Sequence, residues 1–515
     1  MSAGAKQSLG TRTLRGMFWT YGSYVGTRGS TLLATAVLTR LLDPKDFGLV
    51  ALAGTFMTFL DMLQGLGVGN ALVVVKEEEV EAQAETAFAV SVVVGAVLSL
   101  VTAAIAPIAV SLFHEQQLYT VMPALGLTFF FYGLGSTHYA LATKRMNFRS
   151  RTVAELGDAF VRGGIGVVLA IAGAGVWSLV IAYSAGNIAM DIILWRLIPW
   201  RPRLRPQRKH LRSLLSFGGA TTAVGIMAAF LAEFDNLVVG RVLGVTELGY
   251  YSIATKLPFL FIISIASVSG DVLFPAFATL EMYEMSGAFL TALRYTAVVA
   301  LPLTAIFATL AQPITLAVFG PQWQPAVAAA QVLCLWAVMS PISMVCGNAF
   351  KSRGRADLVL YLAIPQAIAV VVGSLLLVHQ GIVAISWLQA GIAVLAQIVT
   401  IGIAQRMFGI RTRRVVIAVL PPLLASTGLA IALYAVHKLI SAPWPAVIAG
   451  GLVSLPVYLI LLHLCSPTLL PQLRRTAFPG RASQDPHPGE FESAIAAHDV
   501  DAMVRPATIG PRETS

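Results

Sequence analysis

Eleven ionisable side chains fall inside long apolar runs of this chain: Arg28, Asp61, Glu155, Asp158, Arg162, Asp191, Glu233, Asp235, Lys256, Asp271 and Arg294. A charge at bilayer depth is costly. It is retained where it faces a cavity, an opposite charge or a ligand. Glu155, Asp158 and Arg162 follow one another at spacings of 3 and 4 and share one helical face. That face reads either as an internally neutralised ion pair or as part of a cavity lining. Arg28 is different. Gly22, Gly26 and Gly29 flank it, and no acid lies within two turns. Small residues let another helix or a ligand come close, so this cation needs an acid from another helix, such as Asp61, or a phosphate. Lys256 is followed by Pro258, which loosens a helix and exposes its backbone. Arg294 also lacks a local acid. Arg28, Lys256, Arg294 and Arg162 are therefore candidates for a substrate cavity, with an interhelical salt bridge as the other reading of each. Asp61, Asp158 and Asp235 are candidates for a coupling ion or for charge pairing. His138 is expected to be a packed, hydrogen-bonded side chain rather than a proton relay.

The elements that must position these groups are membrane helices. Hydrophobic residues make up 57 % and charged residues only 12 % of 515 residues, and the mean hydropathy is +0.77. Soluble domains carry about 25 % charge, so this chain is expected to use lipid as its solvent, in helices of about 20 apolar residues. Fourteen spans are predicted, near 17–39, 47–75, 86–113, 118–143, 152–173, 176–198, 213–240, 249–278, 287–312, 324–350, 358–379, 381–407, 414–437 and 443–465. Lys6, Arg12 and Arg15 precede the first of them without a small-residue cleavage site, which reads as a first span rather than a removable signal. From Pro471 the chain is rich in Pro, Gly, Ser and charge, without apolar periodicity. A disordered tail is expected over 467–515.

Loop charges orient the bundle. With the N-terminus in the cytoplasm, 22 Lys and Arg fall in cytoplasmic loops and the N-terminal arm, against 4 outside: Arg40, Lys45, Arg241 and Lys438. That bias predicts cytoplasmic N- and C-termini. It accounts for the net charge of +10 without nucleic acid. The basic run from Arg201 to Arg212 reads as a topogenic loop beside anionic lipid head groups.

One phrase occurs twice. Leu38–Gly48, "LTRLLDPKDFG", returns 201 positions later as Val239–Gly249, "VGRVLGVTELG", aligning Arg40 with Arg241, Asp46 with Glu247 and Gly48 with Gly249. The offset covers six spans, an even number, so the copies run in parallel through the membrane. The expected organisation is an N-terminal lobe over 1–200, a basic linker over 201–212, a second lobe over 213–410, and two extra spans over 411–466. In each copy Asp43-Pro44 or Gly244 breaks the helix, Asp46 or Glu247 caps the next one, and the glycine permits close packing. Arg40 and Arg241 mark either a tight outer hairpin or the rim of a cavity between lobes.

Cys334, Cys346 and Cys465 lie in apolar runs, without a CxxC pair or a His at ligand spacing, and read as small hydrophobes. The sequence has no GxxxxGK[ST] loop and no HExxH. No catalytic residue, metal or cofactor is expected, and the chain does not read as an enzyme.

The segments "LTRLLDPKDFGLVALA", "GLGVGNALV", "YALATKRMNFRSRTVAE", "EFDNLVVGRVLGVTELGYYSIATKLPFLF", "VLFPAFATL" and "FGPQWQPA" resemble the polysaccharide transporter (Wzx-type) flippases of the MATE-like (MOP) superfamily. The resemblance runs from about residue 12 to about residue 465 and excludes the tail. It implies two six-helix lobes in a V, with a cavity that alternates between the membrane faces of the bacterial inner membrane. The implied cargo is an oligosaccharide joined through pyrophosphate to undecaprenol, serving O-antigen, exopolysaccharide or capsule assembly alongside polymerase and chain-length machinery. Relatives have a cationic cavity. Arg28 matches in kind a first-helix arginine there, with Lys256 and Arg294 as partners from the opposite lobe. The acids Asp61, Asp158 and Asp235 depart from a purely cationic cavity. A cation-coupled drug antiporter of the same superfamily is the second reading and requires a carboxylate-dominated cavity. A glycan polymerase or ligase is the third and requires large outer loops, whereas every outer loop here is short.

Overall fold

Helix ends in this chain are set by short polar turns, and those turns stack the spans. At the first, Pro44 opens a helix and the Asp43 N–H donates to the Asp46 carboxylate at 3.3 Å, satisfying a donor that the helix start leaves free. At the matching turn Gly244 takes φ 92° and its N–H closes back on the Val239 carbonyl at 3.2 Å. This is the glycine C-cap geometry that non-glycine residues resist. The computed structural model describes residues 26–65, 72, 80–145, 147–202, 227, 229–230, 232–263, 273–440 and 442–467. Asp271, most of the basic linker and the tail from 468 lie outside them.

The described residues form helices throughout: α1 (26–41), α2 (Pro44–Gly65), α3 (Val80–Phe113), α4 (Leu118–Lys144), α5 (Phe148–Ile171) and α6 (Val176–Leu197) in the first half. The second half has α7 (232–242), α8 (Val245–Ala254), α9 (Met285–Thr309), α10 (Ala326–Ala337) running on into α11 (Met339–Ser352), α12 (Ala356–Leu377), α13 (Ile382–Phe408), α14 (Thr412–Leu439) and α15 (Pro443–Cys465). Among the described residues, ten stretches are long and apolar enough to cross a membrane. They fall at expected spans two, three, four, six and nine to fourteen. Expected spans one, two, seven and eight lie partly outside the described residues. Span five is present as α5, but Arg149, Arg151, Glu155, Asp158 and Arg162 make it too charged to count. It also begins earlier than the expected 152, because Asn147 caps it, its side chain accepting from the Ser150 N–H at 3.2 Å. The chain is thus an all-α, multi-pass membrane protein.

Its packing differs between the two ends. The largest apolar cluster draws on both halves: Leu49, Leu52, Phe113, Leu118 and Val176 pack with Val239, Val245, Leu248, Ala329 and Ile385. All of these lie toward the end opposite the basic loops. At the basic-loop end the described clusters belong to one half each. Leu72, Phe88, Leu141 and Trp200 form one, and Phe289, Phe350, Phe408 and Val415 another. The halves therefore meet at one end and part toward the other. The helices α12, α13 and α15 turn large apolar side chains outward, with Leu376 71 %, Leu395 66 % and Leu452 73 % exposed, as lipid-facing surfaces do.

The repeated phrase forms the seam. A Cβ at Gly48 would overlap the Val245 carbonyl, and one at Gly249 would overlap the Pro44 carbonyl. The glycines expected to permit close packing do so against each other's helix. Arg40 reaches across to the Ala317 and Val318 carbonyls at the end of a π-helical turn, Thr315–Phe319. Arg241 reaches back to His114 Nδ1 at 3.4 Å. The Trp323 indole N–H donates to the Thr39 carbonyl at 2.9 Å, and Phe47 meets the Trp323 ring edge-on at 5.3 Å. Both arginines thus span the seam at its closed end.

With Leu41→Cys and Val242→Cys carrying spin labels, Gly48→Leu should lengthen the label distance on the order of 2 Å or more, since ordinary helix pairs sit 8–10 Å apart. Gly54→Ala, where a Cβ meets open space, should leave it unchanged. Double electron–electron resonance on the reconstituted protein reads both.

Candidate functional site

Below the seam, toward the basic loops, the chain breaks its own helix. Pro258 cannot donate an N–H, so α8 gives way to a short piece, Lys256–Pro258, and then to a π-helical turn, Phe259–Ile263. Such turns are rare and cluster at functional sites. Lys256 and Phe259 are both exposed on this segment. The Arg28 guanidinium, from the first half, lies over the Phe259 ring at 5.5 Å. The structure thus brings Arg28 to the segment that carries Lys256. Arg294 is half-buried on α9 and has no hydrogen-bond or ion-pair partner among the described residues.

Glu233 ties this region to the first half. Its Oε2 accepts from Thr55 Oγ1 on α2 at 2.9 Å and from Asn236 Nδ2 at 2.8 Å, and its charge acts on Lys256. Its place in the sequence, two residues before Asp235, marked it only as one more intramembrane acid. Its bond to Thr55 depends on how the halves dock, which helical periodicity does not contain.

Asp235 is buried to 5 % exposure. It accepts from the Tyr251 hydroxyl at 2.5 Å, from Gln389 Nε2 at 2.9 Å and from the Asn236 N–H at 2.9 Å. All three donors are neutral, and all come from the second half. Tyr251 lies on α8, between Gly249 and Lys256, so one short segment carries the seam glycine, the Asp235 partner and Lys256.

The first half gathers the other charges. Arg162 donates to Asp158 Oδ1 at 2.7 Å, one turn along α5, and its guanidinium lies over the Tyr183 ring at 4.2 Å. Glu155 does not join them. It accepts from Arg151 Nε at 2.9 Å and from the Tyr139 hydroxyl at 2.9 Å. Asp61 is exposed near the end of α2 and within electrostatic reach of Tyr132 on α4. Asp191, on α6, abuts Gly135 so closely that a Cβ there would overlap its carboxylate. His138 is fully buried, stacked on Trp195 at 4.5 Å, with Nε2 3.2 Å from the Trp200 carbonyl. Of the three cysteines, all free, Cys334 and Cys346 are buried and Cys465 is exposed.

Because the Asp158–Arg162 pair is only partly exposed, removing one partner strands a charge. Asp158→Asn or Arg162→Gln alone should destabilise the protein by about 1–3 kcal/mol, between the surface and buried limits. The double variant should recover most of that loss. Thermal unfolding in detergent measures all three.

The chain can be set beside known proteins on this geometry. The family described as polysaccharide biosynthesis protein matches residues 37–328, which include the seam phrase in both copies and the break after Lys256. The succinoglycan biosynthesis transport protein ExoT of Rhizobium meliloti (strain 1021) is 27 % identical over 365 residues, 69 % of this chain and 72 % of that protein. The lipopolysaccharide biosynthesis protein WzxC of Escherichia coli (strain K12) is 23 % identical over 359 residues, 68 % of this chain and 72 % of that protein. Among solved structures, the lipid II flippase MurJ in an inward closed conformation superposes with a TM-score of 0.71 at 13 % identity, over 89 % of this chain and 100 % of that one. An inward-facing multidrug resistance MATE transporter of the MOP superfamily superposes with a TM-score of 0.63 at 18 % identity, over 74 % and 94 %. These likenesses establish the fold, and the match across more than half of the sequence establishes the lineage: the chain belongs to the polysaccharide biosynthesis protein family and has the fold of MOP-superfamily transporters.

Proposed function

We propose that the protein flips an undecaprenyl-pyrophosphate-linked oligosaccharide from the cytoplasmic to the outer leaflet of the bacterial inner membrane by alternating access, with both termini in the cytoplasm. The observation that carries this reading is the meeting of Arg28, from one half, with the Lys256–Phe259 segment of the other, beneath a closed seam. A pyrophosphate supplies the negative charge that cations at membrane depth require, and guanidinium and ammonium groups both bind it. The basic loops lie at the open end, so the cargo enters from the cytoplasmic leaflet while Gly48 and Gly249 close the outer side. Parting the glycines and the two crossing arginines opens the outer side in turn. Of the carboxylates considered for coupling, Asp158 is matched by Arg162, whereas Asp235 has neutral donors only, which favours Asp235.

Each charge-assisted hydrogen bond contributes about 1.5–3 kcal/mol. Arg28→Ala should therefore lower export roughly ten- to a hundredfold while the protein still inserts. Mass spectrometry of lipid extracts should then find a trapped lipid-linked repeat unit, as in the gene deletion. Normal export by a well-inserted Arg28→Ala protein would remove Arg28 from the cavity. A deletion strain without such an intermediate would end the flippase reading. Asp235→Asn keeps an acceptor for Tyr251 but loses the charge. Insertion should be normal and export should fall by at least about tenfold, measured in the same strain.

A further inference from the structure

A groove of about 570 Å³ follows the contact between α4 and α6 toward the basic-loop end, and its character changes along its length. Phe131, Leu134, Ile188 and Ile192 line one end, and Trp195, Arg196 and Arg201 the other. Depth in the membrane orders them. Val176, where α6 begins, packs in the cluster at the closed end. Arg196 stands 20 residues further on, about 30 Å along the helix, which is the thickness of a hydrocarbon core. Arg196 therefore lies at head-group level, and Ile188 lies about 12 Å deeper, close to the depth of one leaflet. The groove opens to lipid. Ile181, Ile188 and Ile192 recur at spacings of 7 and 4 on one face of α6, and Ile181 and Ile192 are exposed. Gly186 and Ile193 point elsewhere, against Arg162 and Gly157 of α5. Asp191 also borders the groove, but its carboxylate is packed against Gly135 of α4 with Oδ2 buried. The exposed charges of the groove are its two arginines.

Trp195 sets the boundary between the two ends. Its indole N–H donates to the Leu134 carbonyl at 2.9 Å and its ring stacks on His138. The Arg201 guanidinium lies over that ring at 5.6 Å, and its Nη1 donates to the Ile198 and Trp200 carbonyls. The other Arg201 nitrogens, and the whole Arg196 guanidinium, make no hydrogen bond or ion pair among the described residues. The sequence that follows, Arg203 to Arg212, is itself basic, so it adds to this charge and does not neutralise it. We propose that the groove binds one anionic diacyl phospholipid from the leaflet on the basic-loop side. Its phosphate rests on Arg196 and Arg201, and one acyl chain runs along Phe131, Leu134, Ile188 and Ile192. Guanidinium groups grip phosphate through paired N–H donors, and basic pockets between helices at the membrane surface take anionic head groups. The depth of the groove favours an acyl chain. A polyprenyl tail, far longer than a leaflet is deep, would leave most of its length uncovered. The site shares no residue with the Arg28–Lys256 region and does not depend on the flippase reading.

The test uses the full-length protein in detergent, titrated with palmitoyl-oleoyl phosphatidylglycerol and followed by native mass spectrometry. One phosphatidylglycerol should stay bound under conditions that strip phosphatidylcholine, which has the same chains and no net charge. Phosphatidylglycerol with a diazirine on one acyl chain should crosslink within residues 131–134 or 188–192. Arg196→Gln combined with Arg201→Gln should weaken binding by about tenfold or more. Arg411→Gln combined with Arg413→Gln removes the same charge from exposed positions at the start of α14 and should change it by no more than about twofold. Undecaprenyl pyrophosphate at equal concentration should not displace the phospholipid. Equal losses in the two double variants, equal retention of phosphatidylcholine, or crosslinks confined to other segments overturns the site. Displacement by undecaprenyl pyrophosphate overturns the phospholipid as its occupant. Should the Arg196 and Arg201 double variant fail to fold, the crosslinks and the comparison of the two phospholipids on wild type still decide.

Discussion

Two backbones touch at Gly48 and Gly249, and the rest of the architecture is arranged around that contact. Each glycine lies where a side chain would strike a carbonyl of the opposite half, Val245 in one case and Pro44 in the other. The contact is reciprocal because the same phrase is presented by both halves. The arginines of the phrase behave likewise, each reaching a group on the other side. In a membrane, apolar contact between helices gains little over contact with lipid, so close packing of small residues and polar bonds decides whether helices stay together. Hydrogen bonds of about 1 kcal/mol each hold a seam that can close firmly and still be exchanged for another state.

The closed seam gives the charges below it their meaning. In the first half, acids and bases are largely matched within or between neighbouring helices: Arg162 with Asp158, Arg151 with Glu155. In the second half the polar groups are arranged around a break. Proline removes a hydrogen bond after Lys256, the helix widens into a π turn, and Arg28 arrives from the first half onto Phe259. The break leaves Lys256 and Phe259 exposed where Arg28 arrives.

Sequence carried the class and the plan. Hydropathy placed ten spans that the structure describes as long apolar helices. The repeated phrase placed the two glycines and two arginines that meet across the seam. What periodicity misjudged was partnership. Spacings of 3 and 4 put Glu155 with Asp158 and Arg162, but α5 starts at Phe148 under the Asn147 cap, which makes Arg151 helical and gives Glu155 a partner one turn back. Asn147 in "RMNFRSR" was the signal for that start. Glu233 and Asp191 were visible as buried acids and not as site residues, because Thr55 and Gly135 reach them from helices far away in sequence. Such contacts are products of docking, and a linear pattern does not encode them.

The segment from Gly249 to Lys256 shows why the seam and the site cannot act independently. Gly249 rests on the Pro44 carbonyl, Tyr251 donates to Asp235, and Lys256 feels the charge of Glu233, which is itself bonded to Thr55 of the other half. A helix rises 1.5 Å per residue, so these three points follow one another within roughly 10 Å, Gly249 and Tyr251 on α8 and Lys256 just beyond its end. The groups that bear on Lys256 and Asp235 therefore sit on, or directly beyond, the helix that carries the seam glycine. Seam and charges are thus joined without a long relay of side chains, through α8 from Gly244 at its start to Ala254 at its end and the short piece Lys256–Pro258 that follows it.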